Sequence, residues 1–227
     1  MIPLRDDNPS SSRPIVTYLL VLTNVLVFLY MLSLGSEAAI ERFVVSYGAI
    51  PGRITGRAGG EVLAAYPTLF TSMFMHGGWA HILGNMLYLW IFGDNVEDVM
   101  GHGGFLVFYL LTGLAAVWTH ILTAPASAVP LIGASGAIAG VLGAYLALFP
   151  RARIISLVPF GFFLRVVAVP AVLFLPLWFL LQFIQGVATL GADTAGVAWW
   201  AHIGGFASGF LLVWIFARRR SSRRGWW

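Results

Sequence analysis

The sequence contains neither cysteine nor lysine, and charged residues make up only 10% of its 227 positions. Without cysteine there are no disulfide bonds, thiolate metal ligands or cysteine nucleophiles. At 59% hydrophobic, the chain carries more apolar surface than a soluble domain of this length can cover, which is typical of a multi-span membrane protein. The net charge of +4 comes from arginine and is interpreted through membrane topology, so no nucleic-acid partner is expected.

Long apolar runs predict an all-α polytopic membrane protein with six transmembrane helices in the lipid bilayer, because a helix needs about 20 apolar residues to span it. The second run is interrupted by Gly77-Gly78, so its regular helix is expected to begin near Trp79. The predicted spans are 15–34, 66–92, 105–122, 135–149, 166–190 and 199–217. They divide the chain into an N-terminal tail (1–13), a six-helix domain (14–217) and a basic C-terminal tail (218–227).

The arginines predict the orientation of these spans. Six spans put both termini on one side, and ten arginines fall on that side against three on the other. This bias predicts cytoplasmic termini. The polar N-terminus has no small-residue cleavage site, so no removable signal peptide is expected, and the plan suits a bacterial inner membrane. The ten are Arg5, Arg13, Arg151, Arg153, Arg165, Arg218, Arg219, Arg220, Arg223 and Arg224, and the three are Arg42, Arg53 and Arg57.

The fourth span is too short to cross a membrane. Residues 135–149 make a helix of about 22 Å at 1.5 Å per residue. If its Pro150 end reaches the cytoplasmic interface, its Ser135 end stops below the outer surface. The residues before it, 123–134, are then predicted to form a non-helical segment dipping into the protein, which is tolerated where backbone is buried or lines a water-filled cavity.

Polar groups within the spans are the candidates for function. All nine acidic residues are expected in tails or loops, so a serine–histidine pair here would have to work without a carboxylate. Ser135 opens the fourth helix and His202 lies near the start of the sixth, and both helices run inward from the outer face. The glycine faces Gly136-x-x-x-Gly140 and Gly205-x-x-x-Gly209 allow close helix approach. A neutral histidine can then accept the hydroxyl proton and return it to a leaving amine.

Acyl transfer also needs donors for the developing oxyanion. The Ser135 amide lies at a helix N-terminus, next to Gly133, where amides are free. His81 and Asn85 are four residues apart and therefore project from one helix face. His76, just before Gly77-Gly78, is expected to brace the loop above them.

Each of these features also has a structural interpretation. A GxSG run in a membrane helix is usually packing, and a single membrane histidine is often a structural hydrogen bonder. Gln182 and Gln185 are expected to make helix-to-helix bonds. The joint occurrence of serine, histidine and the His-Asn pair at one depth favours catalysis.

Three segments resemble the rhomboid family of intramembrane serine proteases: "HGGWAHILGNM" (76–86), "GASG" (133–136) and "AHIGGFASG" (201–209). Their order and spacing match across residues 14–217. The resemblance implies a dyad of Ser135 as nucleophile and His202 as general base, an oxyanion hole of His81, Asn85 and the Ser135 amide, and no cofactor or metal. Supporting positions are His76, Gly133, Gly136, Gly205 and Gly209.

The resemblance also implies substrates: single-span membrane proteins, cut near the outer end of their span, by an active site that opens to the outer face. The fifth helix, with Pro170 and Pro176, and the loop 191–198 resemble the family's lateral gate and cap. Four residues after the nucleophile the family often has an aromatic residue that packs on the histidine. Here the residue is Ala139, so the sequence leaves open what orients His202.

Two other classes of function stay open at this point. One is an inactive rhomboid-like protein that binds membrane helices. The other is a haem-binding subunit or small transporter, with His81 and His202 as axial ligands. No metal site is expected, because the spacing of His76 and His81 is not His-Glu-x-x-His. The oligomeric state is not predicted.

Overall fold

The chain is mostly helical in the computed structural model, which describes residues 1–59, 61–161, 163–189 and 197–217. The cap loop 191–198, except for its last two residues, and the basic segment 218–227 lie outside these described residues. The helices are α1 (Ile15–Ser33), α2 (Glu37–Tyr47), α3 (Pro51–Ile54), α4 (Val62–Ala65), α5 (Thr68–Thr71), α6 (Trp79–Met100), α7 (His102–Thr123), α8 (Ser135–Leu148), α9 (Ala171–Ala188) and α10 (Trp199–Phe216), with a 3₁₀ turn at Ser72–Phe74.

Four helices of the described chain, α1, α7, α9 and α10, are long and apolar enough to cross a membrane, as in a multi-pass membrane protein. The predicted start at Trp79 is confirmed for α6. The short fourth helix is also confirmed, because the 14 residues of α8 extend only about 21 Å. The count of six spans stays a prediction.

The chain is mostly helical, as predicted, but it also contains an antiparallel sheet that the all-α prediction did not include. Its strands are β1 (Ile2–Asp6), β2 (Arg153–Phe160) and β3 (Phe163–Pro170), hydrogen-bonded in the order β1-β2-β3. The predicted fifth span is wrong at its start, because residues 166–170 belong to β3 and α9 begins at Ala171. Residues 1–13, expected as a tail, supply β1. A β-branched apolar run suits a strand as well as a helix, and its pattern alone does not separate the two.

Acidic residues at the end of α6 hold the N-terminal segment. Asp94, Glu97 and Asp98 lie within this helix, so the prediction that every acidic residue lies in a tail or loop is wrong. The buried Glu97 carboxylate accepts the backbone N–H groups of Val16 and Thr17, each at 2.8 Å. These amides open α1, where free N–H groups and the helix dipole favour a negative charge.

The contact between α8 and α10 forms the centre of the bundle. A Cβ added at Gly205 would lie 2.0 Å from the carbonyl oxygen of Gly136, and one at Gly209 would lie 2.0 Å from that of Gly140. The two helices are therefore in backbone contact along both predicted glycine faces. This contact requires the absence of side chains at these positions and fixes the relative position of the two N-terminal ends.

The segment before α8 is non-helical, as predicted, and its backbone is hydrogen-bonded. Leu131 exchanges two backbone hydrogen bonds with Ala49, at 2.8 and 3.0 Å, and the Gly133 amide donates to the Ser72 carbonyl oxygen at 2.9 Å. These bonds replace the helical ones that a buried backbone otherwise lacks. They hold the chain in place up to Ser135.

Asp6 in β1 predicts a pH dependence of stability. Burial raises the pKa of this carboxyl from 3.8 to about 6, although the Tyr145 hydroxyl donates a hydrogen bond to it. Between about pH 4 and pH 6 the folded protein therefore holds a proton that the unfolded chain has released, so the free energy of unfolding falls as the pH rises through this window. Asp6→Asn should lack this contribution. Unfolding midpoints of both proteins in detergent, measured across the window, check this, and parallel curves would contradict it.

Candidate functional site

Ser135 and His202 meet at one end of the α8–α10 contact. Ser135 is the first residue of α8, and His202 lies in the first turn of α10. The distance from Ser135 Oγ to His202 Nε2 is 2.8 Å. His202 is 8% exposed, so its ring is largely shielded from bulk solvent while it bonds the hydroxyl. The parallel helices predicted from the order of the spans, with the close approach predicted from their glycines, thus bring the two residues together.

Side chains of α9 contact the Nδ1 side of the His202 imidazole. Gln182 Oε1 lies 2.7 Å from His202 Nδ1. Two indole rings contact the imidazole: Trp178 at a centroid distance of 6.0 Å, tilted by 33°, and Trp199 at 6.2 Å, edge to face. With Ala139 in place of an aromatic residue, the His202 ring is therefore oriented by side chains from α9 and from the start of α10.

His81 points into the space beside Ser135. The Gly77 amide donates to His81 Nδ1 at 3.4 Å, which leaves the proton of a neutral ring on Nε2. A Cβ added at Gly133, whose φ is +131°, would lie 2.8 Å from His81 Nε2 and 3.6 Å from Ser135 Oγ. Glycine at position 133 therefore keeps open a small space between a ring N–H donor and the serine hydroxyl.

Asn85 lies one turn further along α6 and is held by His76. Its Nδ2 is 2.9 Å from His76 Nε2, and both side chains are buried. An amide nitrogen carries two hydrogens, so this bond leaves one for another acceptor. His76, expected to brace a loop, orients the Asn85 amide through this bond.

These groups line one cavity of about 1060 Å³. Its wall includes Ser135, His202, His81 and Asn85 together with Gln182. A nucleophile next to a base, with N–H donors on the facing wall, is the arrangement that acyl transfer requires. The first amides of α8 add free donors at the same place, since a helix N-terminus leaves them without intrahelical partners.

The contacts of Gln182, Trp178 and Trp199 with His202 were not predicted from the sequence. Gln182 was expected to bond a neighbouring helix, and it does, but the acceptor it supplies serves His202. A signal was available: Trp178 and Gln182 are four residues apart, so they share one face of a helix, and a polar group within an apolar helix indicates a specific partner.

Comparison with known proteins places these residues in a family context. Residues 64–219 match the Rhomboid domain. The chain is 31% identical over 203 residues to "Rhomboid protease GluP" of Bacillus subtilis (strain 168), covering 88% of this chain and 34% of that protein. It is 31% identical over 166 residues to "Rhomboid protein 1, mitochondrial" of Saccharomyces cerevisiae, covering 69% and 44%. It is 27% identical over 216 residues to the human "Presenilin-associated rhomboid-like protein, mitochondrial", covering 91% and 49%.

The chain spans between a third and a half of the length of these three relatives, at 34%, 44% and 49%. The matched Rhomboid domain includes the site, because it begins before His76 and ends after His202. The similarity therefore concerns this helical domain and not the full length of the relatives.

Proposed function

Because the chain belongs to the rhomboid family, whose members are generally serine proteases, we propose that it is an intramembrane serine endopeptidase. The observation that carries this proposal is the 2.8 Å distance between Ser135 Oγ and His202 Nε2. In this proposal Ser135 is the nucleophile and His202 the general base, a dyad without a carboxylate. Both ring nitrogens of His202 have hydrogen-bond partners, which disfavours haem ligation.

The proposed reaction is acyl transfer in two steps. His202 Nε2 accepts the hydroxyl proton as Ser135 Oγ attacks the scissile carbonyl carbon, and the imidazolium then gives the proton to the leaving amine. Water, activated by the same nitrogen, hydrolyses the acyl-enzyme. The shielded position of His202 favours this chemistry, because hydrogen bonds and charges act more strongly where water is excluded.

The oxyanion hole of this proposal faces the attacked carbonyl. His81 Nε2–H, the second amide hydrogen of Asn85 and the Ser135 backbone N–H are its donors. The open space at Gly133 supports this role, since His81 Nε2 and Ser135 Oγ both border the volume that a methyl group there would fill. Each such donor contributes about 100- to 1,000-fold to kcat in acyl-transfer enzymes.

The proposed substrates are single-span membrane proteins, cut near the outer end of the span. The site lies at the end of the bundle opposite the β1–β3 sheet, since α8 and α10 begin at the site and α1 begins at the sheet. Arg5, Arg153 and Arg165 are in the sheet, so the positive-inside rule favours a cytoplasmic sheet and an outward-facing site. We propose an inner cell membrane as its location, which the compact helical plan suits.

Cleavage of a detergent-solubilised single-span test substrate tests the proposal. The wild-type protein should cut it, and a fluorophosphonate probe should label Ser135, identified by mass spectrometry. Ser135→Ala should abolish both signals. The matched control is Ser208→Ala, which removes a hydroxyl that bonds only the Gly205 carbonyl oxygen of its own helix among its described contacts. This control should keep both signals.

Two outcomes would overturn the proposal. One is a folded Ser135→Ala protein that cuts as fast as the wild type. The other is a folded wild-type protein that binds the span but neither cuts it nor takes the probe, which is the result expected of an inactive rhomboid-like protein that binds membrane helices.

A further inference from the structure

Gln182 and Ser135 occupy opposite nitrogens of one imidazole ring. Gln182 Oε1 lies 2.7 Å from His202 Nδ1, and Ser135 Oγ lies 2.8 Å from His202 Nε2. The three side chains come from α9, α10 and α8. The arrangement is a continuous chain of two hydrogen bonds that ends on the serine hydroxyl.

The chemistry of the amide oxygen decides which nitrogen carries the proton. An amide oxygen only accepts hydrogen bonds, so its partner Nδ1 must be the N–H of the neutral ring. The lone pair then lies on Nε2, facing the hydroxyl proton that it has to take. The opposite tautomer would place an N–H against the serine hydroxyl and two acceptors against each other at Gln182.

We propose that Gln182 is a positioning residue for the dyad: it holds His202 in the tautomer and ring orientation in which Nε2 can act as the base. This inference rests on the proposed function. Gln182 takes the place that a buried carboxylate has in a serine–histidine–aspartate triad, where the third group fixes the tautomer and stabilises the imidazolium. A neutral amide does so without bringing a charge into an apolar region, where a charge is costly.

The light packing around Gln182 allows an effect on the reaction to be distinguished from an effect on folding. After Leu175, the only buried residue of α9 is Gly186, so this part of the helix packs lightly and Gln182 itself is half-buried. Replacing it should therefore affect the reaction far more than the fold. Gln185, on the same helix, is exposed, and its substitution makes a control with the same chemical change.

The test compares Gln182→Met and Gln182→Glu with Gln185→Met. Methionine keeps the length of glutamine without a strong acceptor, and glutamate keeps an acceptor oxygen. Gln182→Met should lower kcat and the rate of fluorophosphonate labelling by about 10- to 100-fold, the size expected when a group that orients a histidine is lost. KM and the unfolding midpoint should match those of Gln185→Met. Gln182→Glu should recover most of the activity.

A spectroscopic measurement keeps the inference independent of turnover. The ¹⁵N shifts of the five histidines, with His202 assigned by its loss in His202→Ala, report the tautomer directly. The wild type should show His202 protonated on Nδ1, and Gln182→Met should show a mixture. An unchanged tautomer with unchanged kcat would overturn the inference. An inactive wild type with the tautomer difference intact would overturn the proposed protease function alone. If Gln182→Met does not fold, the same measurements on Gln182→Leu test the inference.

Discussion

His202→Ala is expected to lower kcat for a single-span test substrate by at least about 1,000-fold, because a serine hydroxyl is a weak nucleophile without an adjacent base. KM should change by no more than about twofold, since the base contributes to the transition state and not to binding of the ground state. Initial rates over a range of substrate concentrations in detergent check both numbers. The labelling of Ser135 by a fluorophosphonate should fall in parallel.

The double variant Ser135→Ala/His202→Ala makes this prediction sharper. If the two residues act as one unit, removing either of them already removes the contribution of both to kcat. The double variant should therefore be no slower than Ser135→Ala alone. His120→Ala is the matched control: His120 lines the same cavity but has no described bond to Ser135, and its kcat should stay close to that of the wild type. Multiplicative losses in the double variant would show that the two residues act separately.

Gly209→Val is expected to reduce the free energy of unfolding by about 3 kcal/mol or more, at the upper end of the range for overpacked cores. The cause is the contact of α10 with α8, where the first added carbon would lie 2.0 Å from the Gly140 carbonyl oxygen. A backbone oxygen cannot move aside as a side chain can, so the helices must separate. Since Ser135 and His202 lie on these two helices, cleavage should be lost with stability.

Gly103→Val is the control for this change, because a Cβ added at Gly103 meets nothing within 4 Å. Its effect should stay within about 0.5 kcal/mol, as for most surface substitutions. Unfolding midpoints in the same detergent compare the two variants with the wild type. Equal midpoints for Gly209→Val and Gly103→Val would mean that the close helix contact is not needed for the fold.

The close approach of α8 and α10 could be predicted, because glycines four residues apart form a recognisable pattern in the sequence. The hairpin of β2 and β3 could not. Val166, Val167 and Val169 are as apolar as a membrane helix, and hydropathy does not distinguish the two. Gly161, with φ +60° at the turn, and Pro170, which ends β3, were the local signals for a strand pair.

Within the candidate site, the pairing of Ser135 with His202 was predictable, because each is a rare polar group at the start of a glycine-lined helix. The bond between Gln182 and His202 was not predictable, since the two residues are 20 positions apart on different helices, and the sequence alone does not give the rotation of α9. The bond from Asn85 to His76 was missed for a related reason, because the backbone between them leaves the helix at Gly77-Gly78.

The position of β1 has a consequence for the order of events in folding. Its neighbour in the sheet is β2, and the bond from the Arg153 amide to the Asp7 carboxylate joins residues 146 positions apart. At a synthesis rate of about 5–20 residues per second, the first strand waits roughly 7 to 30 s for its partner to be made. Closing so long a loop is also entropically slow. The first strand therefore pairs only after most of the chain has been made, while α9 and α10 are still to follow. The start of α1 can bind Glu97 at the end of α6 well before that.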